Sequence, residues 1–123
     1  METIKSYTDL EQSKKLADIL PLESADMCCF QNPNGGINYY GFPFLQGNKA
    51  SNPIPCWSLA SLLGILPEID GSPLNIERVK AEDGYDGYYY HIEYKDKILI
   101  PYSKNPIDAC VAMIERLHEL NLL

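Results

Sequence analysis

The sequence predicts a single α+β domain over residues 1–123, with three helices packed on a small antiparallel sheet of about three to five strands. Three observations carry this. Helical spacing of apolar residues occurs near the start, the middle and the end of the chain. Between the last two helical stretches, apolar residues alternate with polar ones at the period of a strand. A 46% hydrophobic content over 123 residues is enough for a real core without metal or disulfide support.

The first helix is expected from about Asp9 to Leu20. Thr8 and Glu11 have capping-box spacing, and Glu11 and Lys15 form a favourable i,i+4 pair. Leu10, Ala17 and Leu20 share a face with Leu16 at its edge, and Pro21 stops the helix. Met27 to Phe30 reads as a strand, and Asn32 to Gly36 as a turn. Ile37 to Phe44 reads as a second strand, at an edge because of Pro43, and Gln46 to Pro53 as a loop.

The second helix is expected from Pro55, at the first helical position, to about Leu66. Its composition (Trp57, Leu59, Ala60, Leu62, Leu63, Ile65, Leu66) makes it the most buried helix. A narrow stripe of Ser58, Ser61 and Gly64 would admit another backbone. Leu74 and Ile76 then alternate, and Val79 and Ala81 alternate in the opposite phase, which implies a bulge near Glu77–Arg78. Glu82 to Gly87 is a turn.

Tyr88, Tyr90, Ile92 and Tyr94 line one face of the next strand, while Tyr89, His91 and Glu93 line the other. Ile98, Ile100 and Tyr102 line one face of the strand after it. Joining the two apolar faces requires Tyr94 opposite Ile98, and therefore a three-residue turn at 95–97. The last helix runs from about Pro106 to Leu120, capped by Asn105, with Pro106 at its first position and Asp108 at the positive end of the dipole. Its apolar stripe is Cys110, Met113, Ile114, Leu117 and Leu120.

Several function classes are disfavoured. A net charge of −7, with the acids scattered, lacks the basic footprint of nucleic-acid binding and the dense acidic rows of a DNA mimic. No apolar run is long enough to cross a bilayer, and the start lacks the apolar core of a signal peptide. The expectation is a cytoplasmic protein without membrane attachment, with Cys28, Cys29, Cys56 and Cys110 as reduced thiols. Cys28 and Cys110 read as small core hydrophobes. The four cysteines and two histidines lack zinc-site spacing, so no metal or other cofactor is expected. Asp83 to Gly87 is too short for a calcium loop, and Asn34-Gly35-Gly36 lacks the lysine of a phosphate loop.

In this order, Glu11 to Leu16, Ser24-Ala25-Asp26-Met27, Pro55 to Leu63 with Leu66-Pro67, Pro106 to Ala109 and Leu117 to Leu120 resemble a family of short hypothetical proteins. That family occurs in gut Bacteroidetes, their prophages and other mobile elements. The resemblance spans nearly the whole chain. It implies a cytoplasmic bacterial or phage accessory protein and transfers no catalytic residue.

Two readings of function follow. The first is a non-enzymatic protein-interaction or regulatory module. Tyr88-Tyr89-Tyr90 puts tyrosine on both faces of a sheet that three short helices cannot cover fully. Tyr88, Tyr89, Tyr90, Tyr39 and Tyr40 are therefore the candidate partner-binding residues, although tyrosine is also common in strands for packing alone. The second reading is a small cysteine hydrolase. Cys56 would be the nucleophile at a helix N-terminus and His91 the base on a later strand. The competing structural expectation puts Cys56 in the core as an inert thiol and His91 on the solvent face between Tyr89 and Glu93.

Overall fold

The computed structural model describes residues 5–41, 53–69, 71–82, 87–94, 98–99 and 102–123. The expected edge position of Pro43, the 46–53 loop up to residue 52, Ile100 and the turn residues 83–86 and 95–97 lie outside the described residues. The fold is α+β, and the described residues form three α-helices and antiparallel strands divided among three sheets.

Helix α1 spans Leu10–Ala17. Its cap is Asp9, one residue later than expected, with Gln12 completing the capping box in place of Glu11. Thr8 does not cap because it is drawn inside. Its N–H donates to the Trp57 carbonyl at 2.9 Å, its Oγ1 accepts the Trp57 N–H at 3.1 Å, and Ser13 Oγ lies 2.8 Å away. Leu16, expected at the edge of the apolar face, is its centre, while Ala17 is exposed. The helix stops before Leu20. The Ile19 and Leu20 N–H groups both turn back to the Leu16 carbonyl, and Pro21 leads into a 3-10 turn at Leu22–Ser24.

The first sheet has the order β2-β1-β3, from β1 (Met27–Gln31), β2 (Ile37–Gly41) and β3 (Ile54–Cys56). Gly35, at φ +90°, allows the expected turn between β1 and β2, which closes with Asn32 N–H on the Gly36 carbonyl at 2.7 Å. Pro55 does not begin a helix. It lies in β3, opposite Cys28, on an edge strand where a missing N–H can face away from the ladder.

Helix α2 is Leu59–Ile65, capped by Ser58. Asp26 fixes that start by accepting the Ser58 N–H at 2.9 Å and the Ser58 hydroxyl. A serine cap held by a carboxylate outweighs proline's mild preference for the first helical position. The helix is not the most buried one: only Leu62 is fully enclosed, and Leu63 is 42% exposed. Among the described residues no backbone approaches Gly64, where a Cβ would meet nothing within 4 Å.

A two-stranded hairpin, β4 (Glu68–Ile69) and β5 (Ser72–Pro73), precedes the second three-stranded sheet. That sheet has the order β6-β7-β8, from β6 (Asn75–Lys80), β7 (Tyr88–Tyr94) and β8 (Ile98–Leu99). The expected bulge near Glu77–Arg78 is absent. The β6–β7 register is unbroken from Asn75↔Glu93 to Lys80↔Tyr88. Val79 therefore faces away from Ile76, on a sheet face that is itself partly covered. Tyr94 pairs with Ile98, the register that requires three intervening residues.

Helix α3 (Pro106–Glu119) starts as expected, with Asn105 accepting the Asp108 N–H at 2.8 Å. It ends in a Schellman motif, with Asn121 at φ 57° and the Leu122 N–H on the Leu117 carbonyl at 2.9 Å. Cys110, Met113, Ile114 and Leu117 are fully buried, but Leu120 is 39% exposed. With Leu16, Trp57, Leu62, Ile92 and Ile107 they form the main core. Asp108 ties α3 to α1 by accepting from Gln12 Nε2 at 2.6 Å and pairing with Lys5 Nζ at 2.7 Å.

Candidate functional site

The strands decide which candidate residues meet. Cys56 ends β3 as a strand residue, so it has no helix dipole behind it; α2 begins three residues later under its own serine cap. Its side chain is fully buried, and its thiol donates to the Ile54 carbonyl at 3.5 Å. Burial is the chief cause that pushes the Cys56 thiol up to about 12, with the Cys29 thiol beside it adding to the rise and Ser13 opposing it. Burial likewise pushes Cys110 up to about 12, and Cys28 and Cys29 above the ordinary thiol value. All four cysteines are buried.

His91 stands in β7, in the other three-stranded sheet. Its Nε2 lies 3.3 Å from Glu77 Oε2, its cross-strand neighbour. The structure thus places Cys56 and His91 in different sheets, each engaged by other residues. His91 does lie on the expected sheet face, but it is not open to solvent: only 6% of it is exposed. The ring of Tyr102 stands edge-on against it, with centroids 4.4 Å apart at 80°.

The five candidate tyrosines divide between two sheets. Tyr39 and Tyr40 lie in β2. The Tyr39 ring packs 4.4 Å from Tyr7, and burial is the first cause that raises its phenol above the usual value. Tyr40 packs on Phe30 with 38% still exposed. Tyr88, Tyr89 and Tyr90 lie in β7. Tyr90 packs against the main core. Tyr88 is 40% exposed, and the Arg78 guanidinium stacks over its ring at 4.3 Å. Tyr89 faces the opposite way, 6.4 Å from Tyr102.

Tyr102 was not among the sequence candidates, yet it is 59% exposed. The alternation of Ile98, Ile100 and Tyr102 predicts it on the core face. A one-residue change of register overturns that. Tyr94 pairs with Ile98, but Tyr90 pairs with Ser103 rather than Tyr102. One extra residue between Leu99 and Ser103 turns Tyr102 to the outer face. The one available signal was Pro101, whose lack of an N–H makes a regular ladder there difficult.

The result is an open groove of about 500 Å³ on the outer side of the β6–β7 hairpin, lined by Val79, Lys80, Ala81, Glu82, Tyr89 and Tyr102. Among the described residues its walls are aromatic and aliphatic, with Lys80 and Glu82 at the strand end. Such a lining can hold an apolar side chain and orient a charged neighbour. Among the described residues, no group of three or more His, Cys, Asp or Glu side chains is placed to hold a metal ion. No described helix is long and apolar enough to cross a membrane. No protein-family model, curated protein or solved structure matches this chain.

Proposed function

We propose that this protein is a non-enzymatic protein-interaction module, serving as an accessory protein of a phage or mobile element. The observation that carries this reading is the aromatic surface of the second sheet. Tyr102 is 59% exposed beside Tyr89 and the groove, and Tyr88, on the opposite face of the same sheet, is 40% exposed. Tyrosine offers a large, stiff contact area with a polar tip, and exposed clusters of it are typical of protein interfaces. The phage or mobile-element setting rests on the sequence resemblance alone. The burial of every cysteine gives the hydrolase reading no accessible nucleophile.

The test is capture from a bacterial host lysate by the tagged protein, compared with its Tyr102→Ser and Tyr88→Ser variants. Saturable capture of a defined protein, lost in Tyr102→Ser without loss of folding, is the expected result. Capture indifferent to both substitutions would overturn the assignment of this surface.

A further inference from the structure

We propose that the open edge of β6 takes up an acidic extended segment of the partner protein as an added strand. This rests on the interaction-module reading and names the chemistry of the partner. It follows first from the direction of the backbone groups. Tyr90 exchanges both of its backbone hydrogen bonds with Ser103, at 2.6 and 2.7 Å, so both of its groups point away from β6. Successive residues of a strand point their N–H and C=O groups to alternate sides. Tyr89 and His91 therefore point toward β6, where they pair with Val79 and Glu77. The backbone groups of Ile76, Arg78 and Lys80 are left pointing outward. Ala81 fits the same phase, because its N–H turns inward to the Gly87 carbonyl at 3.1 Å. Among the described residues no strand pairs with this side of β6, and Arg78 and Lys80 are exposed.

The edge is also charged in a way that selects its occupant. Arg78 and Lys80 share one face of the strand two residues apart, with the Arg78 guanidinium held over the Tyr88 ring. A second copy of this chain fits badly. Every antiparallel self-pairing that uses two or more of the outward residues sets Arg78 against Arg78, Glu77 against Glu77, or Arg78 against Lys80. Like charges directly opposite one another destabilise such a pair. A strand carrying two acidic residues two apart places both against Arg78 and Lys80. The residue between them points to the outer face, beside Val79 and the groove before Tyr89 and Tyr102. The chain's net charge of −7 opposes an acidic segment at long range, but salt screens that beyond about 8 Å at physiological ionic strength.

The probe is the synthetic peptide acetyl-Thr-Val-Glu-Val-Glu-Val-Thr-amide, added to the full-length protein at physiological salt. Amide exchange is read residue by residue by NMR. In the protein alone the amides of Ile76, Arg78 and Lys80 should exchange fast, and the peptide should slow them. N-methylating one alternate set of peptide nitrogens should abolish binding, while methylating the other set should leave it. Exchanging both glutamates for lysine, or making Arg78→Glu in the protein, should weaken binding by about tenfold or more. The proposal is overturned if these amides are already slow in the protein alone, if both methylated peptides bind like the parent or neither binds, or if no saturable binding appears up to about 1 mM. Self-association of the protein alone that protects the same amides would also overturn it. Host-protein capture that still depends on Tyr102 while the three amides are unaffected would leave the module reading standing and remove only the added strand.

Discussion

Tyr90 and Ser103 exchange both backbone hydrogen bonds one residue out of step with the Tyr94–Ile98 pair, and that offset lays Tyr102 over His91. The shield can be tested chemically. Diethylpyrocarbonate should modify the exposed His118 first and His91 slowly in the native protein. In Tyr102→Ala the His91 rate should rise severalfold with His118 unchanged. Equal rates at the two histidines in the native protein would show that Tyr102 does not protect His91.

Thr8 joins α1 to the segment before α2, because its hydroxyl serves both the Trp57 N–H and Ser13. Thr8→Val keeps the shape but leaves the Trp57 N–H buried without that acceptor. The expected cost is about 1–3 kcal/mol, read as a lower urea midpoint. Thr8→Ser should recover most of the loss.

On α3 the helical phase sets a contrast between neighbours. Leu117 is fully buried and His118 exposed. Leu117→Ala should cost about 2–5 kcal/mol, whereas His118→Ala should stay within about 0.5 kcal/mol. Equal midpoint shifts for the two variants would contradict the phase.

Cys56 should behave as a core thiol. Burial raises its pKa to about 12, so almost none of it is thiolate at neutral pH. Iodoacetamide should label it far more slowly in the native protein than in urea. Rapid labelling that disappears in His91→Ala would restore the hydrolase reading.

Asp108 should make the protein acid-sensitive. Burial pulls its pKa upward, but the Lys5 ammonium and the Gln12 amide outweigh burial and hold it below the ordinary aspartate value. Its folded pKa is therefore lower than its unfolded one. The stabilisation is complete above the unfolded value, about 4, and is lost as pH falls through the folded value. In Asp108→Asn the urea midpoint should be lower at neutral pH, and it should fall less steeply below about pH 4.

The sequence by itself determined what local chemistry controls. Asn105-Pro106 set the start of α3, Asn32 to Gly36 formed the expected turn, and the need to join two apolar faces put Tyr94 opposite Ile98. These features depend on neighbours in the chain, and a cap or a tight turn is satisfied within a few residues. The tertiary structure decided whatever depends on a distant partner. Thr8 gave up its cap to reach Trp57, 49 residues away in sequence. Pro55 became a strand residue because β1 lay beside it, and Asp26 moved the start of α2 to Ser58. Tyr102 turned outward because a single extra residue reverses every later side chain in a strand, a change that composition and periodicity do not record. The buried thiol and the tyrosine groove were settled in the same way, by which strands came to lie together.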